Sequence, residues 1–96
     1  MGLLQTLQEE MKQALKAKDT LKLSVIRMLI SEIKKVQIDT KKDLSDEEII
    51  QVIQKYAKQR KESIKQYRDA GREDLAQKEE KELEIVSKFL PKKMKL

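Results

Sequence analysis

Lys58, Lys61, Lys65 and Arg68 recur at intervals of three, four and three residues, which lines their cations along one face of a helix; Arg72 follows just past them. Such a row can act as an anion track, each Lys or Arg contacting a phosphate and displacing a counterion. The plainer reading is a solvated helix face. Two more charged residues, Arg60 and Glu79, stand where the surrounding pattern calls for apolar side chains. Either they form a buried, bidentate ion pair that fixes helix register, or Glu79 is a lone general acid. The acid reading lacks a nucleophile, a base and a metal, so the structural ion pair is expected.

The chain contains no histidine and no cysteine. It therefore lacks the commonest general base, the commonest metal ligand, and all thiol and disulfide chemistry. The acidic run Glu79-Glu80-x-Glu82-x-Glu84 offers hard oxygen ligands. On a helix, however, positions 79 and 82 diverge by about 60°, 80 and 84 face elsewhere, and Lys78 and Lys81 are interspersed, so no metal is expected there. No Gly-rich phosphate loop and no Ser-His-Asp or Cys-His arrangement is present, so no cofactor and no catalytic centre are expected. Aromatic residues that could stack on unpaired bases are scarce: Tyr56 and Tyr67 fall on an apolar face and Phe89 near the end. Any nucleic-acid contact is then to backbone and shape.

Helices must hold these residues. Ala, Glu, Lys, Leu and Arg make 50 of the 96 residues, and Val and Ile recur at helical spacing rather than in alternation. Leu, Ile, Val and Phe make about 27% of the chain, enough for a thin core in one domain. A first helix is predicted from about Leu3 to Lys18, with Leu3, Leu4, Leu7, Met11, Ala14 and Leu15 as its stripe. Asp19 and Thr20 suit the start of a second, from about Leu21 to Ile38, whose broad apolar face (Leu21, Val25, Ile26, Leu29, Ile33, Val36) makes it the central element.

The clearest local signal follows a polar connection over 39–43. Ser45 with Glu48 reads as a capping box, Leu44 with Ile49 as a hydrophobic staple, and Asp46 and Glu47 suit the positive end of a helix dipole. That third helix runs to about Ala70, where Gly71 stops it. A fourth starts near Glu73-Asp74, carries Leu75, Ala76, Leu83, Val86 and Leu90, and ends at Pro91. The short Gly71-Arg72 connection makes helices 3 and 4 an antiparallel hairpin. The expected fold is thus all-α, a single small bundle of about four helices over residues 1–91, with a basic tail over 92–96.

The formal charge of +5 is concentrated in the middle: residues 41–72 carry +3, residues 1–40 carry +2, and residues 73–96 balance. This permits an anionic partner without demanding one. No apolar run approaches the roughly 18–20 residues that span a bilayer, and the N-terminus has no secretory pattern. A cytoplasmic protein without membrane association is the resulting expectation.

Several stretches resemble the GatB/YqeY family: Leu3-Leu4 with Met11-Lys12; Leu23-x-Val25-Ile26-Arg27-Met28-Leu29; and Ala57-Lys58-Gln59-Arg60-Lys61-Glu62-Ser63. The most specific is Tyr67-x-x-Ala70-Gly71-Arg72-x-Asp74-Leu75-Ala76-x-x-Glu79-x-x-Glu82-Leu83, followed by Phe89-Leu90-Pro91. The family comprises stand-alone YqeY proteins and the C-terminal part of the B subunit of aspartyl/glutamyl-tRNA amidotransferase. In that enzyme the shared part looks like a tRNA-binding appendage remote from the chemistry. The family is grouped with carbon–nitrogen ligases that use glutamine as amido donor. Its pattern continues past Leu-Pro with a second small helical domain, whereas this chain stops five residues later. The resemblance implies a bacterial-type tRNA-binding helical module with tRNA as partner, and the basic track of Lys58, Lys61, Lys65, Arg68 and Arg72 offers its contacts. The alternative is a helical adaptor that binds a protein partner and no nucleic acid.

Overall fold

The computed structural model describes residues 2–91 and folds them into four α-helices: α1 Leu3–Lys16, α2 Thr20–Thr40, α3 Asp46–Asp69 and α4 Glu73–Ser87. No strand occurs among the described residues, so the fold class is all-α. The predicted basic tail 92–96 lies outside the described residues. The chain divides into two compact units whose boundary in sequence, Val52–Ile53, falls inside α3.

In the first unit, α1 and α2 pack on each other. Leu7 and Ala14 of α1 are buried, as are Val25, Ile26, Leu29, Ile30 and Ile33 of α2 and Ile49 of α3. Each fully buried Leu or Ile contributes about 1.5–3 kcal/mol relative to an exposed one. Lys22 and Glu10 join α2 to α1 at 2.9 Å. Leu15, placed on the predicted stripe, is instead 60% exposed. It stands at the edge of that stripe, while Ala14 in the same turn, nearer its centre, is buried.

The helix starts follow from side-chain oxygens. Asp19 accepts from the Lys22 N–H at 3.1 Å and caps α2. At the start of α3, Ser45 Oγ accepts from the Glu48 N–H while the Glu48 carboxylate accepts from the Ser45 N–H, each at 3.2 Å: a complete capping box. Lys42 and the Ser45 contacts hold the Glu48 carboxyl below its ordinary pKa. Gly2 offers α1 no side-chain cap, and Asp46 supplies one from elsewhere: its Oδ1 accepts from the Leu3 N–H at 2.9 Å.

In the second unit, α3 turns into α4 at Gly71, which sits at φ +76°. The Arg72 N–H donates to Tyr67 O and the Gly71 N–H to Arg68 O, the paired bonds of a Schellman ending. Arg60 and Arg68 on α3 reach Glu79 and Glu73 on α4, so the later residue of one helix meets the earlier of the other and the two run antiparallel. Ile53, Tyr56, Ala57, Ile64, Ala76, Val86 and Leu90 are buried. Helix α4 ends at Ser87 rather than continuing to Leu90. The N–H groups of Lys88, Phe89 and Leu90 donate three residues back, a tightened turn, because the ring of Pro91 disfavours α geometry at the residue before it.

Candidate nucleic-acid interface

Lys58, Lys61 and Lys65 are all exposed on α3, with Lys61, one turn after the buried Ala57, flanking the buried face. Among the described residues none of them forms an ion pair. Between Ile53 and Arg72 the chain carries seven Lys or Arg against two Asp or Glu, an excess equal to the +5 of the whole protein.

The two arginines of the same row stand differently. Arg68 grips Glu73 with both Nε and Nη2, at 3.0 and 3.1 Å, and its Nη2 also contacts Glu80. Arg72 lies beside Asp74, Nε to Oδ1 at 3.3 Å, and this hydrogen bond holds the Asp74 carboxyl below its usual range. Among the described residues, three of the row thus stand as unpaired cations and the other two lie against carboxylates of α4.

On the apolar side of the hairpin, Arg60 Nη1 meets Glu79 Oε2 at 2.7 Å, with the side chains only 20% and 15% exposed. The contact is not bidentate. Arg60 Nη2 donates instead to the Tyr56 hydroxyl at 2.7 Å, and the guanidinium lies 4.8 Å from the Tyr56 ring centroid. Glu82 Oε2 stands 3.7 Å from the same Nη1. Burial pulls the Arg60 pKa down, but the Tyr56 hydrogen bond and the two carboxylates outweigh it and leave it raised. Burial pushes the Tyr56 hydroxyl up. Burial also raises the Glu82 carboxyl, with a hydrogen bond to Glu79 adding to it.

Sequence reasoning missed Tyr56 and Glu82 as members of this cluster. The signals were their spacings, Tyr56 four residues before Arg60 and Glu82 three after Glu79, which put neighbours on one helix face. The 60° between 79 and 82 keeps both carboxylates within reach of one guanidinium. No group of three or more Asp and Glu residues that could hold a metal occurs among the described residues. None of the described helices is long and apolar enough to cross a membrane. Tyr56 is buried, and Tyr67 and Phe89 are half-buried.

Residues 4–96 match the family model described as Yqey-like protein. The chain belongs to this family. Among its relatives is "Altered inheritance of mitochondria protein 41, mitochondrial" of Vanderwaltozyma polyspora, 44% identical over 85 residues, covering 88% of this chain and 46% of the relative. The protein of the same name from Candida glabrata is 39% identical over 87 residues, covering 88% and 48%. That from Saccharomyces cerevisiae is 35% identical over 85 residues, covering 88% and 46%. The chain spans about half the length of these relatives.

The names overturn one expectation. These relatives are called mitochondrial, not cytoplasmic, so the cytoplasmic assignment is withdrawn. It rested on the lack of a secretory or membrane-spanning pattern, and such a lack does not specify a compartment. Nor do yeast relatives support a specifically bacterial type.

Proposed function

We propose that this YqeY-like domain binds structured RNA of the tRNA kind through its phosphate backbone, as a helical module of the amidotransferase type that contributes binding rather than chemistry. One observation carries the reading: Lys58, Lys61 and Lys65 form an exposed row with no carboxylate paired to it among the described residues. Three ammonium groups on two helical turns match a polyanion and give no means of reading base edges. The resemblance to the tRNA-binding part of the amidotransferase B subunit supplies the kind of RNA. A gel shift with unfractionated tRNA at two salt concentrations tests it. Binding should be weak and steeply salt-dependent, and Lys58→Glu with Lys61→Glu and Lys65→Glu should abolish it while circular dichroism stays unchanged. Equal binding by the reversed chain rules out this row.

A protein-binding adaptor is the second reading, and the outer face of α2 favours it. Met28 is 44% and Ile38 74% exposed there, and Leu23, Ser24, Arg27 and Ser31 line a shallow depression beside Met28. No tRNA binding at low salt, together with a protein partner lost on Met28→Lys, would favour the adaptor.

A further inference from the structure

We propose that Glu73 and Glu80 are an internal anion that withholds Arg68 from the phosphate-contacting surface, so that a polyanion meets the row Lys58–Lys61–Lys65 and that row ends at Lys65. The proposal rests on the RNA-binding reading and adds to it where the surface stops and which residues stop it.

The geometry is that of an occupied anion site. Arg68 presents the Nε and Nη2 edge of its guanidinium, the edge a phosphate would take, and both oxygens of Glu73 already sit on it at 3.0–3.3 Å. Glu80 contacts the same Nη2. By position Arg68 continues the lysine row; by contacts it belongs to α4. The lysines span seven residues, about 10 Å of helix, and Arg68 would extend the row to about 15 Å. Both members of the Arg68–Glu73 pair are roughly half exposed, so water and salt screen it and it exchanges rather than locks. A phosphate can reach Arg68 only by displacing a carboxylate, which gains no charge neutralisation overall. Arg68 therefore adds little to affinity while Glu73 and Glu80 are present. Removing their charge should convert it into a fourth contact.

Four chains decide this: the unaltered protein, Arg68→Gln, Glu73→Gln with Glu80→Gln, and all three changes together. Each is checked for an unchanged helical spectrum and then titrated with fluorescent tRNA over a salt series. Arg68→Gln should leave affinity within about twofold of the unaltered chain. Neutralising both glutamates should tighten binding several-fold at low salt and steepen the log K against log salt slope by about 0.7–0.9, the increment for one more phosphate contact. Adding Arg68→Gln to that pair of changes should return both values to the starting ones. If the gain persists without Arg68, general charge and not a withheld cation explains it, and the proposal falls. It falls equally if Arg68→Gln alone weakens binding as a track lysine would. Binding by the chain with both glutamates neutralised, and by no other, would support the withholding and remove the RNA reading for the unaltered protein. No binding by any of the four overturns both.

Discussion

Arg60 and Glu79 meet between α3 and α4 at 2.7 Å, and Glu82 approaches the same guanidinium to 3.7 Å. One cation thus stands against two carboxylates in a largely water-excluded site, so the two ends of the pair are not equivalent. Arg60→Met leaves Glu79 and Glu82 facing each other without a counter-charge and should cost on the order of 3 kcal/mol. Glu79→Leu leaves Arg60 with Glu82 still beside it and should cost about 1–2 kcal/mol. Thermal melts of the two single variants and the double variant read the coupling. The double variant should recover only part of the loss, because Glu82 then lacks its cation; adding Glu82→Met should recover the rest. Strictly additive effects would show that the contact contributes no coupling.

Three helix ends carry a left-handed residue, Lys18, Lys41 and Gly71, and the ends of α1 and α3 share the same pair of closing backbone bonds. At the end of α3 the left-handed position is Gly71 at φ +76°; at the end of α1 it is Lys18 at φ +57°, with the Asp19 N–H donating to Ala14 O and the Lys18 N–H to Leu15 O. A Cβ at Gly71 would meet nothing within 4 Å, so Gly71→Ala probes backbone strain alone and should destabilise by about 1 kcal/mol. Lys18→Gly relieves that strain at a smaller entropic cost and should stabilise by about 0.5 kcal/mol. Urea denaturation of both variants checks the opposite signs. A stabilising Gly71→Ala would mean the turn does not need a left-handed residue.

The contrast between these ends shows what was legible beforehand. Gly71 announces its own conformation, because glycine alone enters the left-handed region freely. Nothing in Ala17-Lys18 marks the same turn, since neither residue type favours the left-handed region. The capping box at Ser45–Glu48 was readable because both partners lie within four residues. The cap that Asp46 provides for Leu3 was not, because its partners are 43 residues apart. The same distinction runs through the candidate site. Helical spacing alone places Lys58, Lys61 and Lys65 on one exposed face. The engagement of Arg68 by Glu73 and Glu80 depends on how α4 folds back after Gly71, and local spacing within α3 carries no trace of it.

The Asp46–Leu3 hydrogen bond ties the first turn of α1 to the first turn of α3. Asp46→Ala removes the acceptor and leaves the Leu3 N–H to water, at a cost of about 0.5–1 kcal/mol, while Asp46→Asn keeps an acceptor and should cost less. Amide exchange at Leu3 is the direct readout. It should accelerate in the Ala variant and stay near the unaltered rate in the Asn variant. Unchanged exchange in both would show that α1 starts without this cap.

Glu82 makes the stability of the protein depend on pH in a direction opposite to most paired carboxylates. Burial and the hydrogen bond to Glu79 raise its pKa above the ordinary 4.5, so the folded protein holds this proton more tightly than the unfolded chain. The stabilisation is complete below pH 4.5 and is lost as pH rises through the raised value. Glu48 and Asp74 are shifted the other way, from 4.5 and 3.8. Their contributions are present above those values and disappear only as pH falls through their depressed folded pKa values, so they act in a lower window. Over the range from neutrality down through the raised Glu82 value, above the window in which Glu48 and Asp74 take up protons, acidification should therefore raise the melting temperature. Glu82→Gln should melt above the unaltered protein near neutrality and lose this rise, since its side chain is already uncharged. Melts followed by circular dichroism across that range compare the two profiles. Parallel curves for the two proteins would mean that Glu82 is ionised throughout, and the hairpin would then carry both carboxylates charged against the single Arg60.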